Sequence, residues 1–138
     1  MKDVAYIALG SNVGQREVFL AEGLRGIAAL AKTRVLKQTE AEETAPLGPV
    51  AQGPFLNQMI AIETELTPHD LLAELQEIEK VAGRVRTERW GPRTLDLDIV
   101  LFERQTVGEP DLTVPHPELC NRDFWLRELA TLRGSGLE

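Results

Sequence analysis

The sequence predicts an α+β fold built on a mostly antiparallel sheet. Two observations carry that prediction. Apolar runs of strand length and stripes of helical spacing follow one another as strand, helix, strand, strand, helix, strand, helix. The chain also has 138 residues, 43% of them hydrophobic and 27% charged. It is long enough to bury about two-thirds of its unfolded surface as one domain over residues 1–138, and too short for two ordinary domains.

Val4 to Leu9 is a short apolar run closed by Gly10-Ser11-Asn12, a buried strand entering a turn. From about Arg16, Leu20, Leu24, Ile27 and Ala31 fall at helical spacing. Arg34 to Thr44 reads as one strand. Pro46-Leu47-Gly48-Pro49 and Gly53-Pro54 then break the chain into a loop before Phe55 to Thr64 resumes as a strand. Thr67-Pro68-His69-Asp70 signals a helix start, with a Thr cap, Pro at the first position and an acid in the first turn. Leu71, Leu75, Ile78 and Ala82 make that helix's buried stripe, Leu72, Gln76 and Glu79 share a neighbouring face, and Gly83 ends it. Thr94 to Phe102 alternates, with Leu95, Leu97, Ile99 and Leu101 on one side and Asp96, Asp98, Val100 and Phe102 on the other. A last helix is expected from Asp123 to Leu132. That order suggests a ferredoxin-like arrangement, a mostly antiparallel sheet covered by helices.

Fifteen Lys and Arg against 22 Asp and Glu leave a net charge of -7, which disfavours broad binding to nucleic acid or an anionic membrane. An anionic ligand must then be held by a local basic cluster. The lone Cys120 cannot form an internal disulfide and suits a reducing, cytoplasmic setting. No stretch approaches the roughly 18 apolar residues of a membrane span, and Met1-Lys2-Asp3 does not lead into a signal-peptide core.

Asp96-Leu97-Asp98 carries the most chemical information. Period two puts both carboxylates on one face with Cβ atoms roughly 7 Å apart, where like charges repel and Asp is a poor strand former. A divalent cation turns that repulsion into attraction, and hard oxygen ligands point to magnesium; a solvated polar strand face gives the same pattern. Just upstream, Arg84, Arg86, Arg89 and Arg93 concentrate arginine in a chain that is otherwise acidic, with Glu88 to neutralise only part of it. Arginine forks match phosphate oxygens, so a basic loop beside a metal-binding acid pair fits polyphosphate transfer. Gly10-Ser11-Asn12-Val13-Gly14 lacks the Gly-Lys-Ser/Thr of a Walker loop and reads as a tight turn with Asn12 as a local cap. His69 in a helix first turn reads as a surface residue. His116, between Pro115 and Pro117, is held on a stiff loop as a phosphate or metal neighbour, and Trp90 either covers a ring or anchors its loop.

The run Arg89-Trp90-Gly91-Pro92-Arg93-Thr94-Leu95-Asp96-Leu97-Asp98-Ile99 resembles the signature of the 6-hydroxymethyl-7,8-dihydropterin pyrophosphokinases of folate biosynthesis. The resemblance extends through Ala5 to Asn12, Pro46 to Pro49, Phe55-Leu56-Asn57, Val114 to Pro117 and Asn121-Arg122. It implies a ferredoxin-like sheet sandwiched by helices. It also implies transfer of the β,γ-pyrophosphoryl group of ATP to the pterin hydroxymethyl oxygen, releasing AMP. Carried onto matching positions, it makes Asp96 and Asp98 ligands of two magnesium ions. Arg84, Arg93, Thr113, His116 and Arg122 become contacts to ATP, mostly through phosphate. Gln76 and Ile99 resemble adenosine-side contacts, with Glu79 on the same helical face as Gln76. Phe55 and Phe124 resemble the rings that sandwich the pterin, Asn57 its amide partner, and Thr44, Ala45, Pro46 and Leu47 the loop beside it. Arg86, Arg89 and Trp90 belong to a loop that closes over the reactants.

The chain departs from the pattern in three places. The stretch between Arg86 and Glu88 is one residue shorter than is common, Ala45 replaces a frequent Pro, and Asp111 stands where a basic residue can assist ATP. Asp-x-Asp also occurs in metal-dependent nucleotide-sugar transferases, whose usual nucleotide-binding domain is longer than this chain. A non-catalytic ferredoxin-like module that binds RNA predicts aromatics and basic residues on its central strands, where this chain has Asp96 and Asp98. The expectation is a monomer acting on small molecules, without nucleic-acid or membrane partners.

Overall fold

The computed structural model describes residues 2–45, 54–83 and 94–134. The elements are β1 (Asp3–Ser11), α1 (Arg16–Ala28), β2 (Thr33–Gln38), β3 (Glu42–Thr44), β4 (Phe55–Thr64), α2 (Pro68–Val81), β5 (Asp96–Phe102), β6 (Val107–Glu109), β7 (Leu112–Val114) and α3 (Asp123–Gly134). Five strands make one sheet with the order β2-β4-β1-β5 and β3 added to β4, while β6 and β7 form a separate hairpin. All pairings are antiparallel. Among the described strands, β5 therefore lies at a sheet edge.

Period two sorts the strand residues between two helical layers. Ala5, Ile7, Leu9, Ile60, Ile62, Leu97 and Ile99 meet Leu20 and Ile27 of α1 and Leu71 and Leu75 of α2 in the larger core. Tyr6, Ala8, Met59, Ala61 and Val100 face the other way and pack under Trp125, Leu129 and Leu132 of α3. Such a sheet between helices is the expected α+β sandwich. Among the described residues no helix is long and apolar enough to cross a membrane.

The helix signals behave as their chemistry dictates. Thr67 Oγ1 accepts the Asp70 N–H at 3.1 Å with Pro68 behind it, and Gly83 follows the last turn at φ +83°, a conformation that costs glycine nothing. α1 begins differently. Its cap position is Gln15, which makes no side-chain cap, and Asn12 lies three residues ahead of it. The helix also ends at Ala28, leaving Ala31 exposed in the following turn, while Gly23 takes a buried place in the stripe.

Two other expectations are corrected. The strand read from Arg34 to Thr44 is two strands, β2 and β3, which pair with different stretches of β4. The break falls where the Thr39 backbone and side chain join β4, its N–H donating to the Met59 carbonyl at 2.9 Å and its Oγ1 accepting the Met59 N–H at 3.0 Å. In β5 the alternation does not hold to its end: Ile7 faces Ile99, but Tyr6 faces Leu101, so Val100 is an extra residue. This β-bulge inverts the parity that follows. Leu101 joins the α3 side with Tyr6, and Phe102 joins the larger core with Ala5. The β6–β7 hairpin was not anticipated; its strands are three residues each and only Leu112 and Val114 are buried.

Candidate functional site

On the α3 side of the sheet the apolar lining gives way toward one end. Met59 and Ala8 are followed on their faces by Asn57 and Gly10, which pair with each other, and Gly10 pairs on its other side with Asp96. Ala8 pairs with Asp98. Asn57, Gly10, Asp96 and Asp98 thus stand side by side on three adjacent strands, facing the layer that holds α3. Phe55 continues this row on β4. A Cβ placed on Gly10 would lie 3.2 Å from Asn57 Oδ1 and 3.5 Å from Phe55 Cδ1, so this glycine leaves room for both side chains. The sequence showed Gly10 only as part of a turn.

Asn57 is 7% exposed and is oriented by β3, where its Nδ2 donates to Thr44 Oγ1. Thr44 in turn pairs with Phe55, and Ala45 follows it exposed at the surface. A buried amide with one fixed partner and an adjacent ring provides an edge and a face for a flat polar heterocycle. Phe124 lies in the first turn of α3, half-buried against the smaller core.

Asp96 and Asp98 are both half-buried. The backbone between them is fixed from α2, where Glu79, 5% exposed, accepts the Leu97 N–H at 2.7 Å. His116 closes the far side. Its N–H donates to the Val100 carbonyl at 2.9 Å, its Nδ1 accepts the Glu118 N–H at 3.0 Å, and its Nε2 lies 3.7 Å from Asp98 Oδ1. Because Nδ1 accepts, the proton of the neutral ring sits on Nε2, the nitrogen turned toward the aspartate. Trp125 braces the ring edge-on at 4.9 Å, and the Arg122 guanidinium stacks over the same indole at 4.3 Å.

A cavity of about 250 Å³ opens beside these groups at the free edge of β5. Leu72 and Ile99 give it apolar walls, and Asp98, Asp111, Thr113 and His116 give it polar ones. Gln76 is exposed one turn along α2 from Leu72. Larger hollows lie at the opposite end of the sheet, bordered by Lys2, Asp3 and Glu63, away from every motif residue described here. Among the described residues, the buried side-chain atoms without a hydrogen bond belong to Ser11, Thr94, Arg122 and Glu128. Ser11 ends β1, Thr94 precedes β5 and Arg122 precedes α3, so three of these four lie at the elements that form the site. Unpaired buried polar atoms are costly and concentrate where a ligand completes the bonding.

The structure thus brings Asp96, Asp98, Ile99, Thr113, His116 and Arg122 into one neighbourhood and Thr44, Phe55 and Asn57 into an adjoining one. Pro46, Leu47, Arg84, Arg86, Arg89, Trp90 and Arg93 lie outside the described residues. His69 is exposed, as expected, and its Nε2 pairs with Glu109 at 2.9 Å and Asp111 at 3.3 Å.

The family model described as 7,8-dihydro-6-hydroxymethylpterin-pyrophosphokinase (HPPK) matches residues 6–134. The 2-amino-4-hydroxy-6-hydroxymethyldihydropteridine pyrophosphokinase of Bacillus subtilis is 45% identical over 132 residues, covering 96% of this chain and 79% of that protein. That of Haemophilus influenzae is 45% identical over 120 residues, covering 87% and 75%. Among solved structures, an HPPK-DHPS in complex with substrates superposes with a TM-score of 0.73 at 12% identity, over 96% of this chain and 40% of that one. The last likeness speaks for the fold alone.

Proposed function

Because the chain belongs to the 7,8-dihydro-6-hydroxymethylpterin-pyrophosphokinase family, we propose that this end of the sheet binds ATP and the hydroxymethyl dihydropterin and joins them by pyrophosphoryl transfer in folate biosynthesis. The hydroxymethyl oxygen bonds to the β-phosphorus, the bond from that phosphorus to the oxygen shared with the α-phosphorus breaks, and AMP leaves. The observation that carries the reading is the convergence of two half-buried aspartates with a buried amide and ring on one face of three neighbouring strands.

In this reading the pterin ring lies between Phe55 and Phe124 and its amide edge meets Asn57, with Thr44, Ala45, Pro46 and Leu47 beside it. The adenosine takes the cavity at the β5 edge, where Ile99 lines the wall and Gln76 and Thr113 offer polar side chains. Glu79 acts through β5, holding Leu97 so that its two acidic neighbours face the phosphates. His116, Arg122, Arg84 and Arg93 carry the phosphate charge, and Arg86, Arg89 and Trp90 close over the pair. The donor set suits magnesium, since Asp96 and Asp98 offer hard carboxylate oxygens beside a polyphosphate. Two such ions would be held there and would supply charge neutralisation as the bridging bond breaks. We further read the chain as a cytoplasmic monomer whose partners are these small molecules. Its charge of -7 and lone Cys120 support that reading.

The test is to incubate the protein with ATP, magnesium and 6-hydroxymethyl-7,8-dihydropterin and separate the adenine nucleotides. The expected product is AMP, formed in step with the pterin diphosphate. Accumulation of ADP, or nucleotide turnover indifferent to the pterin, would contradict the proposal.

A further inference from the structure

Glu128 has no part in the chemistry above, yet it is 3% exposed and, among the described residues, neither of its carboxylate oxygens has a hydrogen-bond partner. It sits in the middle of α3, four residues after Phe124 and therefore on the same side of the helix one turn away. Next to it, Arg127 reaches across to β3 and pairs with both oxygens of Glu42, at 3.0 and 3.4 Å. Glu42 is the register partner of Asn57. The helix seat that carries Phe124 and the strand that orients Asn57 thus meet at one point, with two carboxyl groups and one guanidinium.

Resting on the function proposed above, we infer that Glu128 is a positioning residue for the heterocycle: uncharged, it lets α3 seat against β3 and β4 and keeps Phe124 in place, and charged, it loosens that seat. Burial, and then the nearby Glu42 charge, push its carboxyl up to about 7, against a smaller opposing pull from Arg127. Among the described residues, few other groups bear on it. β4 presents the uncharged Asn57, Met59 and Ala61 to this layer. Lys37 of β2 donates to the Leu132 carbonyl a turn further along, and Arg133, Glu103 and Tyr6 interact with one another beyond that. Residues 46–53 contain no titratable side chain. Among the described residues, deprotonation leaves a buried charge beside Glu42 with Arg127, already engaged, to answer it.

Pterin and ATP-analogue dissociation constants, measured without turnover from pH 6 to pH 8, test this in wild type and Glu128→Gln, with α3 amide hydrogen exchange recorded on the ligand-free proteins. Gln keeps the shape and cannot ionise. Wild-type pterin affinity should fall relative to Glu128→Gln by up to about tenfold at pH 8, in proportion to the lost uncharged fraction. The two proteins should agree at pH 6, and their ATP-analogue affinities should agree at every pH. Faster α3 exchange in wild type at pH 8 alone should accompany the loss. Glu42→Gln should move the wild-type midpoint to lower pH. Identical pterin profiles in wild type and Glu128→Gln, or an equal loss for the nucleotide, would overturn the inference while leaving the functional reading intact. Absence of pterin binding by both proteins at every pH would overturn both.

Discussion

The two sides of the sheet do different work with similar strands. Beneath α1 and α2, Ile7, Leu9, Ile60, Ile62, Leu97 and Ile99 make a continuous apolar floor. Beneath α3 the floor is apolar only at its centre, and beyond Met59 and Ala8 it turns to Asn57, Gly10, Asp96 and Asp98. One strand can serve both because successive side chains point to opposite sides: Leu97 packs in the core while Asp96 and Asp98 face the α3 layer. The first side supplies stability and the second spends some of it on burying polar and charged groups.

Substitutions that divide stability from activity put this contrast to the test. The largest effect is expected on the α3 side. Asp98→Ala should cut turnover by about a thousandfold or more, roughly 4 kcal/mol of transition-state stabilisation. The thermal midpoint should stay level or rise, because one of two repelling charges is gone. On the other side, Leu71→Ala should cost about 2–5 kcal/mol in denaturant unfolding while the folded fraction keeps its substrate affinities. Asn57→Ala should weaken pterin binding by about 1–3 kcal/mol in calorimetry and leave the ATP analogue unaffected.

Glu128 sharpens the comparison through pH. In the unfolded chain its carboxyl loses its proton near 4.5, whereas the folded protein holds it to about 7. Between those values the unfolded state binds fewer protons, so this group's contribution to stability falls as pH rises and levels off above about 7. Unfolding of Glu128→Gln across that range should lack the decline, a difference of up to about 3 kcal/mol at pH 8. The smallest effect belongs to Thr67→Ala, which removes the α2 cap and should cost about 1 kcal/mol with no change in turnover.

How much of this was legible in the sequence depended on whether the signal was local. The Thr67-Pro68 start, the Gly83 stop and the bounds of β4 are written in adjacent residues, and the structure reproduces them. The Asp96 and Asp98 pair was visible from period two alone. The bulge at Val100 was not, because it is set by the register against β1, and it moved Leu101 and Phe102 to the sides opposite those expected. The β6–β7 hairpin is too short and too exposed to show a period. At the site, Asn57 and Phe55 could be named, but the Gly10 clearance needed the neighbouring strand and the buried Glu128 needed the helix packed in place. A glutamate on a helix ordinarily signals a solvated face.

The central claim, that both ligands meet this chain at one end of the α3 side and the free edge of β5, is tested most directly by mapping backbone amide shifts as each ligand is added. A non-hydrolysable ATP analogue with magnesium should perturb Asp96 to Ile99 and Asp111 to Arg122, and the pterin should perturb Thr44, Phe55 to Asn57 and Phe124. Ile7, Ile27 and Leu71 should remain still. Perturbation centred on the hollows around Lys2 and Glu63, or spread through the layer beneath α1 and α2, would contradict the account.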